Sequence, residues 1–338
     1  MKDNHFITLA IETSCDETAA AVLSEGRTAL SNVISSQIDI HRAFGGVVPE
    51  IASRSHLEQI NRVVELALAD ADADFGDVDL IGVTQGPGLV GALLMGLATA
   101  KAYALALDKP IVGVHHIKAH ICAAYLEHAE LKPPFLALVV SGGHTDLVRV
   151  GGYDAYTVLG RTRDDAVGEA FDKVARALGL PYPGGPAIDD AAKDGDPSAV
   201  AFKRVFLEKD SLDFSFSGVK TAVLNYLNTR RQAGEAVNVA DAAASFQQSV
   251  VDVIVAKTLR AAEMLGETKA VMAGGVAANS LLRRALGDAC REKGLRLYSP
   301  SPLLCTDNAA MVGAAAYLKY KEKGADGLDL DAFPNLDL

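Results

Sequence analysis

Two stretches of this chain follow the same alternation of apolar and polar positions. LAIETSCDETAAAVL, from Leu9, and LALVVSGGHTDLVRV, from Leu136, each read as an apolar strand, a tight turn of Ser, Thr, Gly or charged residues, and a second apolar strand. Set side by side without gaps, they share Leu, Ala, Ser and Thr at matching positions. The pattern predicts an internal duplication in which one hairpin opens each half. The boundary is expected shortly before Phe135, where Lys132-Pro133-Pro134 interrupts the chain, so the expected domains are 1–134 and 135–338.

Between the hairpins the period lengthens. LIGVTQGPG, from Leu80, predicts a strand entering a Gly/Pro turn, and PIVGVHH predicts a strand delivering histidines to the start of a helix. In the second half, KAVMAGGVAANSLLRRALGDACREKGLRLYSP reads as strand, Gly-rich turn, helix and strand, and NAAMVGAAAYLKYKEKG as a last helix. Alternation of this kind predicts parallel or mixed sheets covered by helices, an α/β class. GPGLVGALLMGLATAKAYALAL, from Gly86, approaches the length of a bilayer span. Its apolar character rests on Ala and Gly and it contains Lys101, so a buried helix is expected and no membrane contact.

Length and composition narrow this picture. A chain of 338 residues exceeds a usual single core. The four cysteines, Cys15, Cys122, Cys290 and Cys305, are too scattered for a CxxC zinc cluster or a disulfide framework, which points to a reducing compartment. The first residues carry no basic segment followed by a long apolar one, so export is not expected. A net charge of −11 excludes nucleic-acid binding by the chain as a whole. Such a role would need a partner or a local patch, for which Arg161 with Arg163, Lys203 with Arg204, Arg230 with Arg231, and Arg283 with Arg284 are the candidates.

Candidate chemistry lies in the turns. In VHHIKAHICAAYL, His116 and His120 are four residues apart, a spacing that puts both imidazoles on one helix face within reach of one ion or, equally, on the exposed face of an ordinary helix. Asp307 stands before the last helix, either as its N-cap or as a third ligand from the second half, across an interdomain cleft. His-His-Asp with open positions suits Zn²⁺ or Fe²⁺. The metalloprotease motif HExxH fails, because Ile117 follows His116.

Ser141-Gly142-Gly143 is able to turn successive N–H groups toward an anion, or is simply a hairpin bend. Its counterpart, Glu12 to Thr18, carries three carboxylates and would hold a cation, an amine or a catalytic carboxylate. Gly274-Gly275 admits a planar ligand, and Asn279 is a helix cap or a ligand donor. Asp172 and Asp189 flank the Gly184-Gly185 loop, where each is either an ordinary helix charge or a partner for ribose hydroxyls. No GxGxxG and no P-loop is present.

Taken together, IETSCDETAAAV, HHIKAH, VVSGGHT, GEAFDKVAR, PYPGGPAID, AGGVAANSLLR and CTDNAAM resemble the bacterial TsaD family, the tRNA N6-adenosine threonylcarbamoyltransferases once described as O-sialoglycoprotein endopeptidases. The likeness runs from about Leu9 to about Lys319. It implies two duplicated lobes like those of actin, sugar kinases and heat-shock ATPases, around a nucleotide cleft. It implies one divalent ion per subunit, Fe²⁺ or Zn²⁺, on His116, His120 and Asp307. The backbone of Val139, Val140, Ser141, Gly142 and Gly143 would contact the threonylcarbamoyl and phosphate groups, and Asp172, Gly185, Asp189 and Asn279 the nucleotide.

The implied reaction moves threonylcarbamoyl from threonylcarbamoyl-adenylate to the N6 amine of the adenosine next to the anticodon, in tRNAs reading ANN codons, with release of AMP. The implied partners are an inactive paralogue, TsaB, and an ATPase, TsaE, in the cytoplasm. Relatives often have Glu-Gly between the histidines where this chain has Lys118-Ala119. A glycoprotein hydrolase and an autonomous ATPase are the competing enzyme classes, and a non-enzymatic scaffold is the third alternative.

Overall fold

The computed structural model describes residues 5–338, which divide into two compact units. In the first, β1 (Ile7–Glu12), β2 (Glu17–Ser24), β3 (Thr28–Ser36), β4 (Leu80–Gly86) and β5 (Ile111–His115) form a sheet in the order β3-β2-β1-β4-β5. β1, β2 and β3 make an antiparallel meander, and β4 and β5 then add in parallel to β1. In the second, β6 (Phe135–Val140), β7 (Thr145–Gly152), β8 (Ala155–Arg161), β9 (Lys269–Ala273) and β10 (Arg296–Tyr298) form a sheet in the order β10-β9-β6-β7-β8. Read from the other edge, this is the same order. β6 and β7 are antiparallel, while β9 and β10 add in parallel. The repeated hairpin is thus the start of a repeated topology.

Strands β1, β2 and β4 of the first sheet are buried on both faces, which explains why they read as nearly continuous apolar runs, whereas the edge strand β3 is largely open. Alternate residues of β1 point to opposite sides. Leu9 and Ile11 pack with Ile60, Val63, Val64 and Ala67 of the helix Pro49–Asp70, and with Leu97, Ala100 and Ala104 of the helix Val90–Leu107. Ala10 faces the last helix, Ala309–Lys323, where small residues permit close approach. A Cβ on Gly82 would sit 2.6 Å from the Ala316 methyl, and one on Gly313 would sit 2.3 Å from Leu23.

That packing corrects the expected domain limits. The chain does divide at Pro133/Pro134, but Gly151–Tyr156 and Pro300–Leu338 belong with the first unit, not with residues 135–299. The reason is the apolar, small-residue face of the last helix, whose complement is the first sheet. The helix after Gly86 is also less enclosed than expected: Leu93, Gly96, Leu97 and Ala100 are buried, whereas Leu105 is 71% exposed. It and Val239–Leu265 are long and apolar enough to cross a membrane, and both are packed within their units. The second of these, with Ala243, Phe246, Val250 and Ile254 buried, carries the core of the second unit.

Candidate functional site

β5 ends at His115, and the helix His116–Cys122 begins immediately. His115 serves that junction. Its Nδ1 accepts from Ile117 N–H (3.2 Å), and its Nε2 lies 3.2 Å from the carbonyl of Leu336. Burial, followed by the charges of Lys118 and His116, pushes its pKa down to about 4, so it is a neutral structural residue. His116 and His120 project from one face, one turn apart, with ring centroids 4.6 Å apart and planes at 79°.

The last helix supplies the third member. Its N-cap is Asn308, whose Oδ1 accepts from Met311 N–H (3.0 Å), so Asp307 is not the cap. Asp307 Oδ1 lies 3.1 Å from His120 Nε2 and 3.6 Å from His116 Nε2. The three potential ligand atoms all fall within 4.8 Å of one another. All three residues belong to the first unit, which corrects the expectation that Asp307 comes from the other half.

A bound ion fits this group for a reason internal to the structure. Both ring nitrogens of His120 are buried without a hydrogen-bond partner, because Asp307, though close, is not placed along a hydrogen-bond direction. Buried polar atoms of this kind are rare unless a ligand completes them. The surrounding charge is appropriate for a cation. Burial disfavours the charged form of His116, but Asp307 and Glu12 outweigh it and raise its pKa to about 9. Glu12 shows the reverse: burial raises its pKa, and the charge and hydrogen bond of His116 bring it below the ordinary value. Burial and the neighbouring Asp16 and Asp307 push Glu17 up to about 9, so it is protonated at neutral pH. Lys118, between the two histidines in sequence, turns toward Asp154 (3.7 Å) and the Tyr156 ring (4.8 Å to the centroid).

In the second unit the other expected residues fall into two linked groups around the carboxyl ends of β6 and β9. Val139 and Val140 are fully buried strand residues, so only their backbone at the strand end is available to a ligand. Ser141 closes the turn, its Oγ accepting from His144 N–H (3.1 Å). Gly168 and Gly274 press against this turn: a Cβ on either would come within 2.7 Å and 2.4 Å of the carbonyls of Ser141 and Val140 respectively.

Asp172 Oδ1 accepts from Gly184 N–H (2.7 Å) and so anchors the Pro/Gly loop. Asn279 does cap its helix, accepting from Leu282 N–H (2.9 Å), and its amide donates to Asp189 (3.2 Å) and Gln247 (3.0 Å). Asp189 also accepts from Ser280 Oγ (2.8 Å). A methyl added to Gly142, Gly143, Gly185 or Gly275 would meet nothing within 4 Å. The turns therefore combine fixed backbone with vacant space, an arrangement suited to an anion or planar group beyond strand ends.

A model of the TsaD family, tRNA N6-adenosine threonylcarbamoyltransferase, matches residues 28–314. The chain belongs to this family. It is 58% identical over 332 residues to the tRNA N6-adenosine threonylcarbamoyltransferase of Clostridium beijerinckii, covering 98% of each chain. It is 57% identical over 330 residues to that of Clostridium botulinum strain Kyoto, covering 98% of this chain and 97% of the relative.

Among solved structures, full-length HypF in a phosphate- and nucleotide-bound form superposes with TM-score 0.63 at 15% identity over 95% of this chain, which spans about half (47%) of HypF. The activator of 2-hydroxyisocaproyl-CoA dehydratase from Clostridium difficile with bound ADPNP gives 0.54 at 13% identity, covering 95% of this chain and 99% of the activator. These likenesses concern the fold: the TsaD-family chain has two α/β lobes of the actin type.

One feature of the site is not evident from the residues alone. In the sequence Glu12 is one of three hairpin carboxylates; in the fold it is completely buried and its Oε2 lies 3.1 Å from His116 Nδ1. The signal was available in part, since Glu12 is the last residue of an otherwise apolar strand. Among the candidate basic pairs, Arg163 binds Glu208 and Asp213 (each 2.8 Å), Arg204 binds Asp252, and Arg230 binds Glu235.

Proposed function

We propose that this chain transfers the threonylcarbamoyl group of threonylcarbamoyl-adenylate to the N6 amine of the adenosine beside the anticodon, in tRNAs reading ANN codons, and releases AMP. The observation that carries the reading is a complete His116-His120-Asp307 group within a chain 58% identical, end to end, to a transferase of that name. The ion would be Fe²⁺ or Zn²⁺, both suited to two imidazoles and one carboxylate with positions left open. Bound there, it supplies Lewis acidity toward a carbonyl or phosphoryl oxygen.

The protein's own groups do the rest. Of the backbone from Val139 to Gly143, which would lie along the acyl and phosphate groups, the Gly142 and Gly143 N–H groups would face those oxygens, since Val139 and Val140 sit in the strand ladder and Ser141 N–H donates to the His144 carbonyl. Donors of this type contribute about 3–4 kcal/mol when they face a developing oxyanion. Asp172, Gly185, Asp189 and Asn279 hold the adenosine portion, with Asp189 and Asn279 already locked to each other. The mixed anhydride carries its own good leaving group, so acyl transfer requires no ATP hydrolysis by this chain. Consistent with that division of labour, no P-loop is present, and the net charge of −11 favours tRNA engagement through partners, for which TsaB and TsaE are proposed. The reaction belongs in the cytoplasm, with its tRNA.

Mass spectrometry of tRNA nucleosides tests the proposal. Depletion of the protein should remove N6-threonylcarbamoyladenosine, and re-expression of the parent, but not of His120→Ala, should restore it. An unchanged nucleoside profile after depletion would overturn the assignment.

A further inference from the structure

We propose that Glu12 is the positioning residue of this site, fixing the tautomer of His116 so that Nε2 is presented as a ligand. The inference rests on the metal reading above for its purpose, though not for its geometry. Glu12 is 0% exposed and receives hydrogen bonds on both oxygens. Oε1 accepts from the backbone N–H of Ser14 (2.5 Å), and Oε2 accepts from Thr84 Oγ1 (2.7 Å). Oε2 also lies 3.1 Å from His116 Nδ1, and Ser14 Oγ lies 3.2 Å from the same nitrogen.

An ionised carboxylate only accepts. The proton between Glu12 and His116 therefore sits on Nδ1, and the lone pair of the neutral ring is left on Nε2, the nitrogen 3.6 Å from Asp307. Histidine ligands are commonly held in this way by a carboxylate on the other ring nitrogen, and loss of such a partner lowers metal affinity about 10–100-fold. His120 has no equivalent, since neither of its ring nitrogens has a hydrogen-bond partner. The chain thus orients one of its two imidazoles in advance and leaves the other to the ion.

The surroundings of Glu12 make Glu12→Gln a selective probe. The amide NH₂ cannot take the Oε1 position, because it would face the Ser14 N–H, a donor that cannot change role. It must take the Oε2 position, where the Thr84 hydroxyl is able to rotate and accept, and where His116 is able to accept at Nδ1 only by moving its own proton to Nε2. The variant keeps the shape of the parent and reverses the tautomer. Thr84→Val removes one donor to Glu12 but leaves the carboxylate facing Nδ1, so the tautomer is retained.

The experiment uses the full chain, stripped of metal and labelled with ¹⁵N-histidine, in parent, Glu12→Gln, Thr84→Val and His120→Ala forms. Long-range ¹H–¹⁵N correlations are recorded above the pH at which His116 loses its charge. The parent and Thr84→Val should carry the proton on Nδ1, and Glu12→Gln on Nε2. Co²⁺ affinity, measured by competition with a chromophoric chelator, should fall about 10–100-fold in Glu12→Gln and stay within a few-fold of the parent in Thr84→Val. The thermal midpoint of the metal-free Glu12→Gln chain should stay close to that of the parent. An unchanged tautomer, or an unchanged Co²⁺ affinity in Glu12→Gln while His120→Ala abolishes binding, overturns the role of Glu12. A parent that binds no Co²⁺ overturns the metal reading instead, and the correlations then decide the tautomer claim alone.

Discussion

The two hairpin turns of the duplicated lobes occupy the same place in the strand order and differ in what they present at the strand end. In the first, Glu12-Thr13-Ser14-Cys15-Asp16-Glu17 brings acidic side chains to the strand end, where Glu12 is buried against His116. In the second, Val139-Val140-Ser141-Gly142-Gly143-His144 puts Val139, Gly143 and His144 where the first has Glu12, Asp16 and Glu17. The serine is shared, and its use differs. Ser14 N–H is committed to a carboxylate, whereas Ser141 N–H donates to the His144 carbonyl (2.9 Å) and the following glycines are open. One copy presents charge, which suits the cation proposed for His116, His120 and Asp307. The other presents open space beside the Gly142 and Gly143 amides, which suits the anionic substrate portion proposed above. A duplicated scaffold thus changes the chemistry at its strand ends through a few turn residues while the sheet order stays the same.

The sharpest way to break this contrast is to remove a charge-storing ligand. His120→Ala should abolish stoichiometric metal, read by elemental analysis, and reduce acyl transfer by more than about 100-fold, beyond the 10–100-fold typical of supporting residues. The second unit's affinity for an adenosine nucleotide should be untouched. Retained metal in this variant would show that the first turn does not recruit a cation through these residues.

Proton competition comes next. His116 holds its proton up to about 9, and an ion must displace it, so apparent affinity should rise tenfold per pH unit, about 100-fold from pH 7 to 9, and then level off. The metal-free chain should show the converse in thermal unfolding. A raised folded-state pKa contributes stability that is complete below the unfolded value, 6.5 for His116 and 4.5 for Glu17, and is lost as pH rises through about 9. Metal affinity independent of pH would contradict the placement of His116 between two carboxylates.

Glycine substitutions sharpen the other side. Gly274→Ala places a methyl 2.4 Å from the Val140 carbonyl at φ +91°, and should destabilise the chain by about 1–3 kcal/mol in denaturant unfolding. Gly143→Ala meets no atom, so stability should move by less than about 0.5 kcal/mol. Adenylate-analogue affinity should nonetheless fall about tenfold, roughly 1.4 kcal/mol, if the vacant space is the ligand's. Equal affinities in parent and Gly143→Ala would mean that the space is only solvent. The smallest effect is expected at Arg163→Ala. Its guanidinium is exposed and already paired with Glu208 and Asp213, so the unfolding midpoint should hardly move, and the salt dependence of tRNA binding should not change.

Much of the architecture was legible because it rests on local pattern. The alternation around Leu9 and Leu136, the Pro-rich break before Phe135 and the strand-turn-helix segments are consequences of side-chain period and turn chemistry, and they specified a duplicated α/β chain. The His116/His120 pair was equally local, since helix geometry alone puts residues four apart on one face. What those imidazoles face is not local. That Asp307 joins them, that the helix Ala309–Lys323 closes the first unit, and that Asn308 takes the capping role all depend on small residues such as Gly82 and Gly313 allowing that helix onto the first sheet. Glu12 depends on the same kind of fact. A carboxylate at the end of an apolar strand becomes a buried acceptor only when Thr84, the Ser14 backbone and His116, far apart in the chain, converge on it, and such convergence is a property of packing that no period along the chain encodes.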